Sequence, residues 1–393
     1  MKREALGLLA RREGVAALFA ALGGGEARLV GGAVRDALLG VAVADVDLAT
    51  RLSPYEVMRR CGAAGIRTVP TGIAHGTVTA LSGAEKIEIT TLRADLATDG
   101  RHATVAFTDD WREDAARRDF TVNALYYAPD SDRVDDWFGG LDDLAAGRIR
   151  FIGDPAQRIA EDHLRILRFF RFSARFAQTI DATGLAACAE RANDLMALSR
   201  ERIADEWLKL LGLPRPGATI AIMLTHAILA PVLPEVEAAA LPVLDRLIAA
   251  ECAAGIAPAA LRRFAGLLPP DPALAERVAA RLKLSNKARK RLASAVTVEP
   301  GGSPRALAYR IGVVEAQDRL LLGGEADAAA ALADWQPPRL PIGGGQLIAR
   351  GLAPGPGVAT MLRAIERRWI EDGFPGGEPL ERIVEEALSE GSR

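Results

Sequence analysis

Residues 28–50 read RLVGGAVRDALLGVAVADVDLAT. The pattern is strand, glycine turn, short helix, loop and second strand. Arg28-Leu29-Val30 is a β-prone run, and Gly31-Gly32 lets the backbone turn tightly and come close to whatever lies above it. In the helix that follows, Val34 and Leu38 stand four apart on one face, and Gly40 stops it. The second strand, expected over Val43 to Leu48, carries Asp45 and Asp47. Residues two apart in a strand share a face, so Val46 and Leu48 enter a core while both carboxylates project from the other side. Their roots lie roughly 7 Å apart, within reach of a pair of divalent ions ~4 Å apart.

Taken in pieces, the stretch has a plain reading. An alternating Asp-Val-Asp-Leu is what any half-buried strand shows, and Gly-Gly before a helix is a weak phosphate signal. The combination says more. N–H groups at a helix start suit phosphate, Arg35 and Asp36 lie in the first turn, and the aspartates follow about a dozen residues later. These are the parts for holding a triphosphate and metal ions in one place. The wording G-G-A-V-R-D-x-L-L-G-x4-D-x-D resembles the nucleotidyltransferase motif of the class II CCA-adding tRNA nucleotidyltransferases and their bacterial poly(A) polymerase relatives. By that resemblance Asp45 and Asp47 are catalytic and hold Mg²⁺. Gly31, Gly32, Arg35 and Asp36 face the nucleotide.

At 393 residues the chain has room for two or more domains. Mean hydropathy is near zero, and no apolar run approaches the ~20 residues of a membrane span. The N-terminal MKREALGLLARREG breaks its apolar character at Arg11, Arg12 and Glu13, so it is read as a surface helix rather than a signal peptide. Cys61, Cys188 and Cys252 are odd in number, far apart and in no metal-ligand spacing, which suggests reduced thiols and a cytoplasmic protein. The net charge of −2 supplies no global field for nucleic acid, so RNA binding must use local basic patches.

Further along, Ser53-Pro54-Tyr55-Glu56 has the composition of a helix start, with Ser as N-cap. Two β-rich runs, Gly76 to Leu81 and Lys86 to Leu92, flank a turn around Ser82-Gly83 and form an expected hairpin beside the aspartate strand. Ile87 and Ile89 take its core face and Glu88 the other. Glu88 is either a solvent-facing strand residue or, by the resemblance, the third carboxylate of the metal site. Residues 93 to 110 are polar and are expected to form an irregular loop. Within it, Asp99-Gly100-Arg101-His102 resembles the family's flexible loop, associated with the switch from C to A addition.

Arg117 to Leu125, RRDFTVNAL, places arginines before an Asp and an Asn: phosphate donors beside groups that hydrogen-bond ribose hydroxyls. The competing reading is a charged helix start. The wording resembles the family's ribose-recognition motif, which assigns Arg118, Asp119 and Asn123 to the nucleotide. Asp136 to Gly140 resembles the family's short linker into the helical half. On the helix expected from Pro155 onward, Asp162 and Arg165 are three apart and hence neighbours. They are an ordinary ion pair, or an acceptor and donor in one plane that imitate a Watson–Crick edge. The motif E-D-x-x-R-x-x-R-x-x-R-F resembles the family's protein template. Asp162 and Arg165 then read the base, and Arg168 and Arg171 support it. Glu201-Arg202 resembles a segment that braces the neck.

From Gly212 the chain is helical and punctuated by Pro and Gly. Arg281 to Arg291, RLKLSNKARKR, holds six Lys or Arg and no acid. It is a solvated helix face or a site where Lys283, Lys287, Arg289 and Lys290 meet the RNA backbone.

The resemblance implies an α+β protein with a small polymerase-β-like nucleotidyltransferase head and then an all-α neck, body and tail. The expected bounds are 1–125 for the head, 126–211 for the neck with its nucleotide-selecting motif, and 212–393 for the tRNA-binding body and tail. The implied reaction is template-independent addition of CMP, CMP and AMP to a tRNA 3′ end from CTP and ATP. A poly(A) polymerase or an A-adding enzyme shares these motifs. A non-catalytic RNA-binding protein would have no need to keep Asp45 and Asp47 together.

Overall fold

In the computed structural model, which describes residues 2–99, 102–297 and 302–391, the strand carrying Asp47 is the middle one of a seven-stranded sheet. The strands are β1 (Ala27–Val30), β2 (Val46–Thr50), β3 (Arg67–Gly72), β4 (Thr77–Ser82), β5 (Glu85–Thr91), the separate pair β6 (Arg93–Asp99) and β7 (His102–Phe107), β8 (Leu125–Ala128) and β9 (Arg133–Asp136). The sheet order is β3-β4-β5-β2-β1-β8-β9. Neighbours run antiparallel except β2 and β5, which are parallel. Burial follows the expected alternation: Val46 and Leu48 are 4% and 0% exposed, and Ile87 and Ile89 join them in the core. The sheet continues through β8 and β9 to Asp136, past residue 125, the expected end of the head.

The helix Gly32–Leu39 starts from Gly31, whose φ of +65° is a conformation that a side chain disfavours, and ends on left-handed Gly40. Its Ala33, Val34, Ala37 and Leu38 are buried. Ser53 caps the helix Pro54–Ala63 by accepting from the Glu56 N–H. The β4–β5 hairpin closes at Ser82 and Glu85.

The structure departs from expectation in three places. β2 begins at Val46, not Val43, because pairing with β5 starts only at Val46 opposite Ile87; Asp45 lies in the bend before the strand. Within the expected irregular loop of residues 93–110, residues 93–99 and 102–107 are instead the antiparallel strands β6 and β7, paired from Arg93 opposite Phe107 to Asp99 opposite His102 with one register shift. Main-chain pairing holds the two strands together, and the root is tied by the Thr108 N–H to the Leu92 carbonyl (3.1 Å) and the Arg93 N–H to Asp114 (3.1 Å). Gly100 and Arg101, at the centre of the expected flexible-loop segment, lie outside the described residues. Finally, the helix entered at Pro155 breaks: Pro155–Glu161 ends at Asp162, which is extended, and a new helix spans Arg165–Phe176.

The chain folds as two units, Met1–Trp207 with Ala218–Val232, and Leu208–Gly217 with Leu233–Arg393. In the first, Phe120 packs against Phe151 and Phe169, with ring centroids 5.0 and 6.3 Å apart. This contact seats the helix Arg165–Phe176 on the segment that carries Arg118 and Asp119. The second unit is helical. Its apolar clusters centre on Leu247 and Leu332 and on Ile365 and Trp369. Buried Glu251 holds Arg262 and Arg263 (2.7 Å each), and buried Asp318 holds Arg262 (3.2 Å) and Arg291 (2.6 Å). Among the described residues no helix is long and apolar enough to cross a membrane.

Candidate active site

One cavity of about 370 Å³ in the first unit collects residues from the aspartate strand, the Arg117–Leu125 motif and the Glu161–Phe172 motif. Asp47 and Glu88 form one wall, Arg117, Arg118 and Asp119 a second, and Asp162, Arg165, Arg168 and Arg202 a third; Thr90 and Arg93 complete the polar lining. The first wall follows from strand register. Asp47 lies directly opposite Glu88 on the parallel pair β2–β5, where backbones are about 4.8 Å apart. Since Val46 and Leu48 enter the core, Asp47 points away from it.

That arrangement is electrostatically expensive. Burial pushes the Asp47 carboxyl above its usual range, Glu88 and Asp45 push the same way, and Arg118 pulls against them. A divalent cation offsets such crowding of like charge. Among the described residues no three or more His, Cys, Asp or Glu side chains form a closed metal cage. An open pair of carboxylates suits Mg²⁺, which retains waters and completes its shell with substrate phosphates. The donor set therefore fits a hard cation that shares its ligands with a triphosphate.

On the second wall, Arg118 donates from Nε to the Tyr126 hydroxyl (2.9 Å) and from Nη2 to Asp114 (3.3 Å). Its Nη1 lies over the glycine turn, 3.2 Å from where a Cβ at Gly31 would stand. At Gly32 there is room. Asp119 is 8% exposed and accepts from the Phe120 N–H, Asn123 Nδ2 and Arg168. Burial raises its carboxyl, but Arg168 and these hydrogen bonds outweigh burial and hold it below the usual range.

Two residues expected to face the nucleotide, Arg35 and Asp36, are engaged elsewhere. Arg35 is 4% exposed and does not line the cavity. It donates to Asp36 (2.8 Å) and Asn123 (2.5 Å), and its guanidinium stacks 4.4 Å from the Phe176 ring and 5.0 Å from Phe172. Asp36 is occupied by Arg35 and Arg175. Both sit on a helix buried on nearly all sides, so they fasten it to the helix Arg165–Phe176. Asn123 is in turn held between Arg35 and Asp119.

On the third wall Asp162 and Arg165 share the cavity but are not paired with each other. Asp162 accepts from the Leu164 N–H (3.1 Å) and from Arg202 Nη2 (2.9 and 3.1 Å). Arg165 donates to Glu161 (2.6 Å) and to the carbonyls of Arg158 (2.9 Å) and Arg117 (2.8 Å). The helix break at Asp162 separates the two, which replaces the expected intrahelical neighbours. Arg171 lies outside the cavity lining and binds Glu206 (2.6 Å), a brace that also approaches Arg168.

Arg202, in the sequence part of an expected brace, has no local signal for its place in the wall beside Asp162. Asp114 and Tyr126 lie outside every motif of the sequence, and Arg117 enters there only as one of two phosphate-donor arginines. The spacing of Asp114 with Arg117 and Arg118, three and four residues on, was readable as a helical cluster.

In the second unit the basic stretch divides. Arg281, Arg289 and Arg291 are held by Glu235, Glu276 and Asp318, each at 2.6 Å. Arg289 is thus engaged within the fold, while Lys283, Lys287 and Lys290 are exposed.

Comparison with known proteins agrees with this geometry. Residues 27–150 match the model of the poly A polymerase head domain, and residues 179–240 match the probable RNA and SrmB-binding site of polymerase A. The human mitochondrial CCA tRNA nucleotidyltransferase 1 is 47% identical over 190 residues, a match that takes in 47% of this chain and only 44% of that protein. The mouse protein of the same name is 33% identical over 372 residues, 89% of this chain and 84% of that one. The crystal structure of the Bacillus stearothermophilus CCA-adding enzyme in complex with CTP superposes with a TM-score of 0.72 at 26% identity, covering 93% of this chain and 94% of that one. An α+β head, a helical remainder and a relative one third identical along most of both chains lead to one assignment: the chain belongs to the family of CCA-adding tRNA nucleotidyltransferases, which shares its head domain with poly(A) polymerases.

Proposed function

We propose that the protein adds CMP, CMP and AMP in turn to the 3′ end of tRNA, using CTP and ATP and releasing pyrophosphate. The observation that carries this reading is the shared cavity, with carboxylates, an Arg118–Asp119 pair and the Asp162–Arg165–Arg202 group around 370 Å³. Enzymes of this family depend on a metal, and we take it to be Mg²⁺. Two such ions, held by Asp47 and Glu88 with Asp45 alongside, would activate the primer hydroxyl and neutralise the departing pyrophosphate. Arg118 and the N–H groups following Gly31 and Gly32 orient the triphosphate. Asp119, with Asn123 behind it, faces the ribose. Asp162 and Arg165 offer an acceptor and donors to the base edge, and Arg168 fixes Asp119 and hence the angle between the two walls. Since protein groups read the base, no nucleic-acid template is required. Dispersed free cysteines, two of them buried, support a reducing compartment, and we place the enzyme in the cytoplasm.

The test incubates the pure protein with both nucleotides and Mg²⁺ and either tRNA lacking CCA or CC-ended tRNA, with products sized and tRNA binding measured alongside. Extension by three residues is expected. Addition of a single A to CC-ended tRNA alone would identify an A-adding enzyme, a long tail would identify a poly(A) polymerase, and binding without extension would leave an RNA-binding protein.

The body and tail would hold the tRNA. Reversing the charge of Lys283, Lys287 and Lys290 together is expected to weaken tRNA binding and lower the slope of log affinity against log salt, by about one for each lost phosphate contact. Nucleotide affinity should stay at the wild-type value. An unchanged slope would return these lysines to an ordinary solvated face.

A further inference from the structure

Asp114, in the helix Trp111–Ala116, belongs to none of the family motifs, yet it is 1% exposed and engages four donors around the site. Its Oδ1 accepts from Arg117 Nε (2.9 Å) and from the Arg93 N–H (3.1 Å). Its Oδ2 accepts from the Tyr126 hydroxyl (2.5 Å) and Arg118 Nη2 (3.3 Å). The Tyr126 hydroxyl in turn accepts from Arg118 Nε (2.9 Å). Arg93 opens the β6–β7 hairpin, and the Arg117 carbonyl anchors Arg165. One carboxylate therefore ties down two cavity arginines, the root of the hairpin and, through one peptide, the residue assigned to base reading.

The competitor for Arg118 is in the same cavity. Asp47 and Glu88 are carboxylates short of positive charge, and an unrestrained guanidinium would pair with them. We propose that Asp114 is a positioning residue of the nucleotide site: together with Tyr126 it clamps Arg118 over the Gly31 turn and keeps it off Asp47 and Glu88, while fixing the hairpin root to the same point. This rests on reading the cavity as a nucleotide and metal site. Arg118 Nη1 is left facing the cavity, and the carboxylates are left open for a cation.

The test compares equilibrium binding of CTP, of ATP and of Mn²⁺ by the full chain in four variants: Tyr126→Phe, Asp114→Asn, Arg118→Ala and the double variant Asp114→Asn/Arg118→Ala. Tyr126→Phe keeps the ring and removes the hydroxyl that accepts from Arg118 Nε and donates to Asp114 Oδ2; nucleotide affinity is expected to fall about threefold, with the circular dichroism spectrum of a folded chain. Asp114→Asn keeps the shape and removes the charge, and both nucleotide and Mn²⁺ affinity are expected to fall about tenfold or more. If the carboxylate acts through Arg118, its loss adds no further weakening of Mn²⁺ binding once Arg118 is alanine. Should Asp114→Asn fail to fold, Tyr126→Phe with and without Arg118→Ala gives the same cycle for nucleotide. Wild-type affinities in Tyr126→Phe and Asp114→Asn, or an equal Mn²⁺ loss in both Arg118 backgrounds, would make Asp114 a structural charge only and overturn the proposal. A wild-type protein that binds neither CTP nor ATP would overturn the cavity reading, and this inference with it.

Discussion

Asp47→Asn is expected to reduce nucleotide addition by roughly 10³-fold or more, the scale of losing metal-assisted charge stabilisation, while raising the melting temperature at neutral pH. The two effects have one cause. Burial, Glu88 and Asp45 raise the Asp47 carboxyl above its ordinary value of 3.8, so the fold favours the protonated form. An acid shifted upward adds stability below its unfolded value and loses it as pH rises through the folded value. At neutral pH the ionised side chain is therefore a net cost, and the neutral amide escapes it. Melting curves across pH check the argument: the advantage of the variant should disappear on acidification below the ordinary carboxyl range. A variant that melts lower than wild type at neutral pH, or retains addition, would place the carboxylate chemistry elsewhere. Binding of tRNA should persist, since the basic face lies in the other unit.

Asp162→Asn is expected to relax base choice by about 10- to 100-fold, letting UTP or GTP compete where CTP and ATP otherwise win. Asparagine can still accept from the Leu164 N–H, so the local turn survives. Its partner Arg202 is 48% exposed on the side chain, and a partly exposed pair contributes about 0–1 kcal/mol, so stability should hardly change. Arg165→Ala is a less clean probe. It removes three hydrogen bonds, to Glu161, Arg158 and Arg117, and is expected to destabilise by about 2–3 kcal/mol as well as impairing selection. Incorporation of all four nucleotides onto tRNA lacking CCA decides the matter. Wild-type preference in Asp162→Asn would leave the pair with Arg202 as a brace and nothing more.

Local pattern carried the central strands. Val46 and Leu48 alternate with Asp47, Ile87 and Ile89 flank Glu88, and the burial that follows is what period two demands. Capping at Ser53 and the stop at Gly40 were equally local. The residues misplaced in sequence are those decided by distant partners. Arg35 has the look of a phosphate ligand in the first turn of a helix, but it is stacked on Phe172 and Phe176 from a helix far along the chain. The break at Asp162 has no Pro or Gly to announce it; Arg202, forty residues later, engages its carboxylate at the turn. β6–β7 has only a weak alternation, Ala94 and Leu96 in one strand and Ala103, Val105 and Phe107 in the other, and so polar a stretch reads as loop before it reads as a strand pair. Asp114 did leave one, in its spacing to Arg117 and Arg118, but charged helical spacing is common and indicates an ion pair before it indicates a site.

The parallel register of β2 against β5 also bears on how this sequence can vary over generations. Asp47 and Glu88 face each other only because two strands far apart in the chain are counted out to the same residue. Replacing one neighbour, such as Val46 or Ile89, changes packing and leaves the count intact. Losing or gaining a single codon within either strand turns every later side chain to the opposite face, sending an apolar residue into the cavity and a carboxylate into the core. Inheritance here should be strict about length and lenient about identity within the strands. The turns between them, free of that count, are where related chains can lengthen.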